Sequence, residues 1–135
     1  IIGLESAFHS RTGRFSVHPA EVGFAPSPGN RYLYLFAPEG PLTRRDELAS
    51  PPLTEAVGYG PDTRRRGVLL EDLLAALPPE LKAGTGLSGT CPDCALTVAC
   101  VGNLDDDPAV DVWTISTRDR TEGPRGTPVH HLKDL

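Results

Sequence analysis

Residues Thr90–Arg118 read TCPDCALTVACVGNLDDDPAVDVWTISTR, and this stretch decides the fold. It holds all three cysteines, the only tryptophan and the densest run of acids in the chain. From Ala95 to Val101, Leu96, Val98 and Cys100 alternate with Ala95, Thr97, Ala99 and Val101, the period-two pattern of a strand. Val110–Thr117 is β-branched and carries Trp113, as suits a second, half-buried strand. Between them Gly102-Asn103-Leu104-Asp105-Asp106-Asp107-Pro108 is turn-forming. The stretch therefore predicts a central antiparallel hairpin over 90–118 with an acidic loop.

The chain has 135 residues, which predicts one domain spanning 1–135 with a modest core. Only 6% of residues are aromatic, so aliphatic side chains must do most of the packing. Glycine and proline number 14 each, which argues for much irregular chain and against a helical bundle. A net charge of -5 argues against a general nucleic-acid partner, because phosphate binding needs a positive surface. No run of about 18 apolar residues occurs, so no transmembrane helix is predicted within these residues. There is no methionine, so Ile1 is read as a processed or trimmed start.

Outward from the hairpin, Ile1, Leu4 and Phe8 recur at helical spacing with Gly13 as a stop, which predicts a helix over 1–12. No Ser, Thr, Asp or Asn cap precedes Ile1, so this helix is expected to be the tail of a longer one. Phe15–Asn30 is proline- and glycine-rich, with Phe15, Val22 and Phe24 as anchors. Arg31–Phe36 is a strand with Tyr32, Tyr34 and Phe36 on one face and Leu33 and Leu35 on the other. The stretch 37–89 is expected to be a long irregular loop, broken by Pro38, Pro41, Pro51, Pro52 and Pro61. Within it a short amphipathic helix near 69–77 stops at Pro78-Pro79, and Ala83–Gly89 is a flexible link. Pro128–Leu132 could form a last edge segment. The expected core anchors are Phe24, Tyr32, Tyr34 and Trp113.

Few groups carry chemistry. Cys91-Pro92-Asp93-Cys94 is a CxxC, and Cys91, Cys94 and Cys100 with His130 or His131 would make a zinc set. Zinc sites usually pair two short-spaced ligand couples, and there is no second one. A redox CxxC opens a helix, whereas this one precedes a strand. A local Cys91–Cys94 disulfide with Cys100 as a buried free thiol is the simpler reading. Cys94 and Cys100 cannot bridge along an extended strand, since six residues span about 20 Å and a disulfide needs Cα atoms within about 7 Å. Asp105, Asp106, Asp107 and Asp111 could cage a calcium ion, but the glycine and glutamate of an EF-hand loop are missing. A solvated turn suits them better. Arg44-Arg45 and Arg64-Arg65-Arg66 read as a solvated loop face. His9, His18, His130 and His131 accompany no nucleophile signature, and Gly58-Tyr59-Gly60 reads only as loop. No enzyme and no cofactor is expected.

These pieces also form a resemblance. Gly23-Phe24-Ala25-Pro26 followed by Gly29-Asn30-Arg31-Tyr32-Leu33-Tyr34 resembles the start of the globular domain of bacterial type IV pilins. Ala7-Phe8 and Gly13-Arg14-Phe15-Ser16 are similar to the aromatic-containing stretch that follows that family's long helix. Gly102-Asn103-Leu104-Asp105, Asp107 and Asp111-Val112-Trp113-Thr114-Ile115 are similar to its central hairpin, and Pro128–Asp134 to its closing segment. The family's apolar N-terminal helix, with a glutamate near its start, is not within these residues, and Glu5 is not that glutamate. The long 37–89 insert matches no common pattern.

The resemblance implies an α+β fold, a helix tail packed on an antiparallel sheet of three or four strands. It implies a structural subunit of an extracellular filament, with motility, adhesion or DNA uptake as its roles, or a type II secretion pseudopilin as a sibling. Partners would be other pilin subunits, or a separate helix-bearing chain, with membrane contact only before assembly through an upstream helix. Ile1, Leu4 and Phe8 would then be the end of the assembly face. The alternative is a metal-dependent extracellular binding module that uses Cys91, Cys94 and Cys100 or Asp105, Asp107 and Asp111.

Overall fold

The computed structural model describes residues 1–45, 53–63, 68–105 and 107–134. Asp106, Pro51, Pro52 and Arg64-Arg65-Arg66 lie outside the described residues.

The first element is α1 (Ile2–Thr12). Gly13, at φ 75°, takes the left-handed conformation that stops it, and its N–H reaches the carbonyl of His9 at 2.8 Å. His9 and Arg11 in the last turn complement the helix dipole. The sheet follows: β1 (Tyr32–Leu35), β2 (Gly58–Tyr59), β3 (Gly86–Ser88), β4 (Ala95–Gly102), β5 (Asp111–Ser116) and β6 (Val129–Leu132). All six strands are paired antiparallel, in the order β2-β1-β4-β5-β6, with β3 also on β4. The predicted hairpin is β4–β5, and β4 is the longest strand at eight residues. Its far edge is shared. Tyr32–Leu35 of β1 pair with Gly102–Ala99, and β3 takes over at Thr97–Ala95 where β1 ends.

The sheet has more strands than the three or four expected. The two extra ones, β2 and β3, are two and three residues long and fall in the stretch expected to be irregular loop. That stretch also holds α2 (Leu70–Ala76) and α3 (Pro79–Ala83). The stop expected at Pro78-Pro79 does end α2, and Pro79 also opens α3, in whose first turn a missing N–H costs nothing. Gly58-Tyr59, read as loop, is a strand. It is held from outside by Phe36 N–H to Val57 O at 2.8 Å and Thr43 N–H to Gly58 O at 3.0 Å.

Both faces of β4 are covered, as its two-sided apolar pattern requires. On one face Leu70, Leu73 and Leu77 of α2 and its cap pack on Leu33, Leu35, Ala99, Val101 and Val112. On the other, Phe15, Phe36, Cys94, Leu96 and Val98 form a second cluster, flanked by Ile1, Phe24, Tyr34 and Ile115. Each fully buried leucine contributes about 1.5–3 kcal/mol. The expected anchors Phe24, Tyr32, Tyr34 and Trp113 are only partly buried, and the intervening Leu33 and Leu35 with Phe36 form the interior instead. The tyrosine face carries hydroxyls that must reach polar partners, so it closes less completely than the leucine face.

The Gly29-Asn30 pair has a structural task. Gly29, at φ 80°, donates its N–H to Asp62 Oδ2 at 2.8 Å. The Asn30 amide donates to the carbonyls of Tyr32 and Gly60 at 3.0 and 2.9 Å, stapling β1 to the segment that carries β2. Gly58 is tighter still: a Cβ there would lie 2.1 Å from the Tyr34 carbonyl oxygen. Gly58→Ala is therefore expected to cost about 1–3 kcal/mol or more by forcing β2 off β1. Urea denaturation checks this, and a midpoint equal to the parent's would show that the β1–β2 pairing is dispensable.

Candidate functional site

The inward row of α1 is Ile1, Glu5 and Phe8. Glu5 is 0% exposed and Phe8 6%, whereas Leu4 is 41% exposed. The expected stripe of Ile1, Leu4 and Phe8 is therefore not one surface. The helix is rotated so that a glutamate takes the place assigned to Leu4. Steps of three and four residues join Ile1, Glu5 and Phe8 as well as they join Ile1, Leu4 and Phe8, and polarity favoured the wrong set. Phe8 is covered by the Arg14 guanidinium, 4.9 Å from its ring centroid.

Helix α1 is tied to the CxxC turn. Cys91 and Cys94 form a disulfide with Cα atoms 4.4 Å apart. His9 Nε2–H donates to the Pro92 carbonyl at 2.9 Å, and its ring stacks on Phe15 at 4.4 Å. Between helix and turn runs an open cleft of about 570 Å³, lined by Ile2, Ser6 and Ser10 on one side and Pro92, Thr117 and Arg125 on the other. With the disulfide formed, Cys91 and Cys94 offer no thiolate to a metal. Cys100 is free and half-buried on the sheet opposite Trp113, and burial pushes its thiol up to about 12.

The other end of the sheet carries a polar cluster that the sequence reading missed. Asp111 Oδ2 accepts hydrogen bonds from Tyr32 Oη at 2.6 Å and Trp113 Nε1 at 2.7 Å. Its Oδ1 accepts from His130 Nε2 at 2.5 Å. The indole and imidazole rings stack at 3.8 Å with 4° between their planes. Burial pushes the Asp111 carboxyl up, but the bonds from Tyr32, Trp113 and His130 outweigh it and hold the group at about 2. Burial and the Asp111 contact push the Tyr32 hydroxyl above its usual range. The signal was legible in hindsight: at period two, Asp111 and Trp113 share a face, and Tyr32 stands in register with Asp111 across Gly102. Asp111 adds stability that is complete above about pH 4 and lost as pH falls toward about 2. Asp111→Asn is expected to flatten that acid loss. Urea midpoints from pH 2 to 4 check it, and parallel profiles for parent and variant would remove Asp111 from the account.

The adjacent histidines part company. His130 faces Asp111, while His131 Nε2 accepts from Thr114 Oγ1 at 2.7 Å; that hydroxyl accepts in turn from Arg120 Nη1 at 2.7 Å. Burial and the nearby Arg120 charge hold His131 below its ordinary value.

Asp111 is thus drawn away from the acidic loop. Asp105 and Asp107 are joined instead by Asp134, with one carboxylate oxygen of each within 4.8 Å of the others. These are the described residues that could hold a cation. Their oxygens already serve the loop: Asp107 N–H donates to Asp105 Oδ1 at 2.9 Å, Ala109 N–H to Asp107 Oδ1 at 2.7 Å, and Leu104 N–H to Asp134 Oδ2 at 2.5 Å. This is the local capping that makes aspartate a turn residue.

No protein-family model matches the chain. The chain is similar to the type IV major pilin protein PilA of Myxococcus xanthus (strain DK1622): 30% identical over 126 residues, covering 83% of this chain. It spans 57% of that protein's length. The likeness supports a pilin-like family, and the α+β fold with a helix packed on an antiparallel sheet is consistent with it. Among the described residues no helix is long and apolar enough to cross a membrane.

Proposed function

We propose that this chain is the globular part of a pilin-like structural subunit, assembled with copies of itself or sibling subunits into an extracellular filament. The similarity to a type IV major pilin over most of the chain carries this reading. The fold suits the task. A disulfide and a six-stranded sheet make a rigid body, and α1 presents Leu4 to solvent. An upstream continuation of α1 would supply the bundle at a filament's centre, where burial of apolar helix faces drives association. We assign no catalytic role to the Asp111 cluster, because each of its members is spent on holding β1, β5 and β6 together.

Immunogold electron microscopy of cells that express the protein tests the reading. Antibody to the folded domain is expected to decorate surface filaments along their length for a shaft subunit, or at their ends for a minor one. Label confined to the cytoplasm, or filaments that persist unlabelled, would reject it.

A further inference from the structure

We propose that Glu5 is the pin of a proton-sensitive clasp: α1 docks firmly on the rest of the domain while Glu5 holds a proton, and loosens when the proton leaves. Glu5 lies wholly buried in the middle of the inward row of α1, between Ile1 and Phe8. Its Oε2 accepts one hydrogen bond, from the Ser16 N–H at 3.1 Å, and its Oε1 is buried with no hydrogen-bond partner among the described residues. A carboxylate so placed lacks the two or three donors that would stabilise its charge, whereas a neutral carboxyl needs less.

The surrounding charges do not rescue it. Arg14 is the cationic side chain that acts on Glu5, but it forks onto Glu21, with Nη2 to Oε1 at 2.5 Å and Nη1 to Oε2 at 3.3 Å. Glu21 also accepts from the Ser16 hydroxyl, so this second carboxylate is fixed in its ionised form beside Glu5. The side chains that face Glu5 are therefore Glu21, which repels its charge, and Arg14, which attracts it. Burial dominates and pushes the carboxyl up to about 7.

The sign follows from linkage. The folded protein holds the Glu5 proton more tightly than the unfolded chain, whose glutamate titrates at 4.5. The contribution of Glu5 to stability is therefore full below about pH 4.5, falls between there and about pH 7, and levels off above. Residues 14–21, which supply both Ser16 and Glu21, are the other jaw of the clasp. In a filament subunit such a clasp would fix the helix to the domain in acid and free it in alkali, although it is a property of the domain itself and stands apart from the filament reading.

The test uses the folded protein with Glu5→Gln, an isosteric neutral mimic of the protonated state. Hydrogen exchange of the α1 amides, corrected for intrinsic rates, is compared at pH 5 and pH 8, with β4 as internal reference. In the parent, α1 protection is expected to fall by about tenfold or more from pH 5 to pH 8. In Glu5→Gln it is expected to stay level and high. Carbon-detected NMR of the parent reads the Glu5 carboxyl directly and needs no variant; a midpoint near 7 supports the clasp. A midpoint near 4.5, or the same fall in protection in both proteins, would overturn it.

Discussion

Phe36→Ala is expected to lower the unfolding free energy by about 3–5 kcal/mol. That is a large share of the roughly 5–15 kcal/mol that holds a domain of this size together. Phe36 is 0% exposed and sits at the centre of the cluster on the α1 side of the sheet, against Phe15, Cys94, Leu96 and Val98. The Phe24 ring lies 5.7 Å from it, centroid to centroid. Truncation leaves a void on a rigid floor, because β4 beneath is fixed on both edges and cannot collapse into the space. The same residue ties β1 to the segment before β2 through its backbone, and that bond survives the substitution. The effect therefore reports packing alone. Urea denaturation with the slope unchanged checks it. A midpoint shift worth less than about 1 kcal/mol would mean that Phe15 and Phe24 swing in to fill the void.

Leu4→Glu is expected to abolish or sharply reduce filaments while leaving the isolated domain as stable as the parent. Leu4 is exposed on α1, so a charge there meets water in the monomer and an apolar neighbour only in an assembly. Phe8→Glu cannot serve as a second test of the same face. Phe8 is buried under Arg14, and burying a charge there would destabilise the domain before any assembly is attempted. Electron-microscopic filament counts are read beside circular dichroism of the purified domain. Normal counts from a folded Leu4→Glu protein would show that this face of α1 is not an assembly surface.

The β4–β5 hairpin was legible because its information is local: period-two apolar alternation, then a turn-forming loop, then β-branched residues. Helix α2 was legible through Leu70, Leu73 and Leu77 at helical spacing. Strand β2 was not, because two residues, one of them glycine, carry too little local pattern; its pairing comes from Tyr34 and Leu35, many residues away. The place of Glu5 was hidden by a sound prior, that glutamate stays outside, and only the Ser16 amide and a retained proton make the exception. Trp113 was expected inside for its size, but its N–H needs an acceptor, and Asp111 supplies one near the surface. Asp111, grouped with the loop aspartates by proximity in sequence, belongs by strand register to Tyr32 and His130. Chain order cannot show which side of a strand a side chain will find occupied.

The shared edge of β4 has a consequence for how such a chain can change. The backbone leaves the β4 edge after β1 and rejoins it at Gly86, and the two points nearly touch: a Cβ on Gly86 would stand 3.7 Å from the Phe36 carbonyl oxygen. The connection between these two points is therefore a detour whose ends meet, with β2 fastened on the way to the outer edge of β1. Lengthening such a detour costs little, about 0.6 kcal/mol for each doubling. Residues added around exposed Leu53 would leave every register on β4 untouched. The part of the chain hardest to match to a pattern is thus also the part where the fold most readily accepts new sequence, so two relatives could share one sheet and present different outer surfaces.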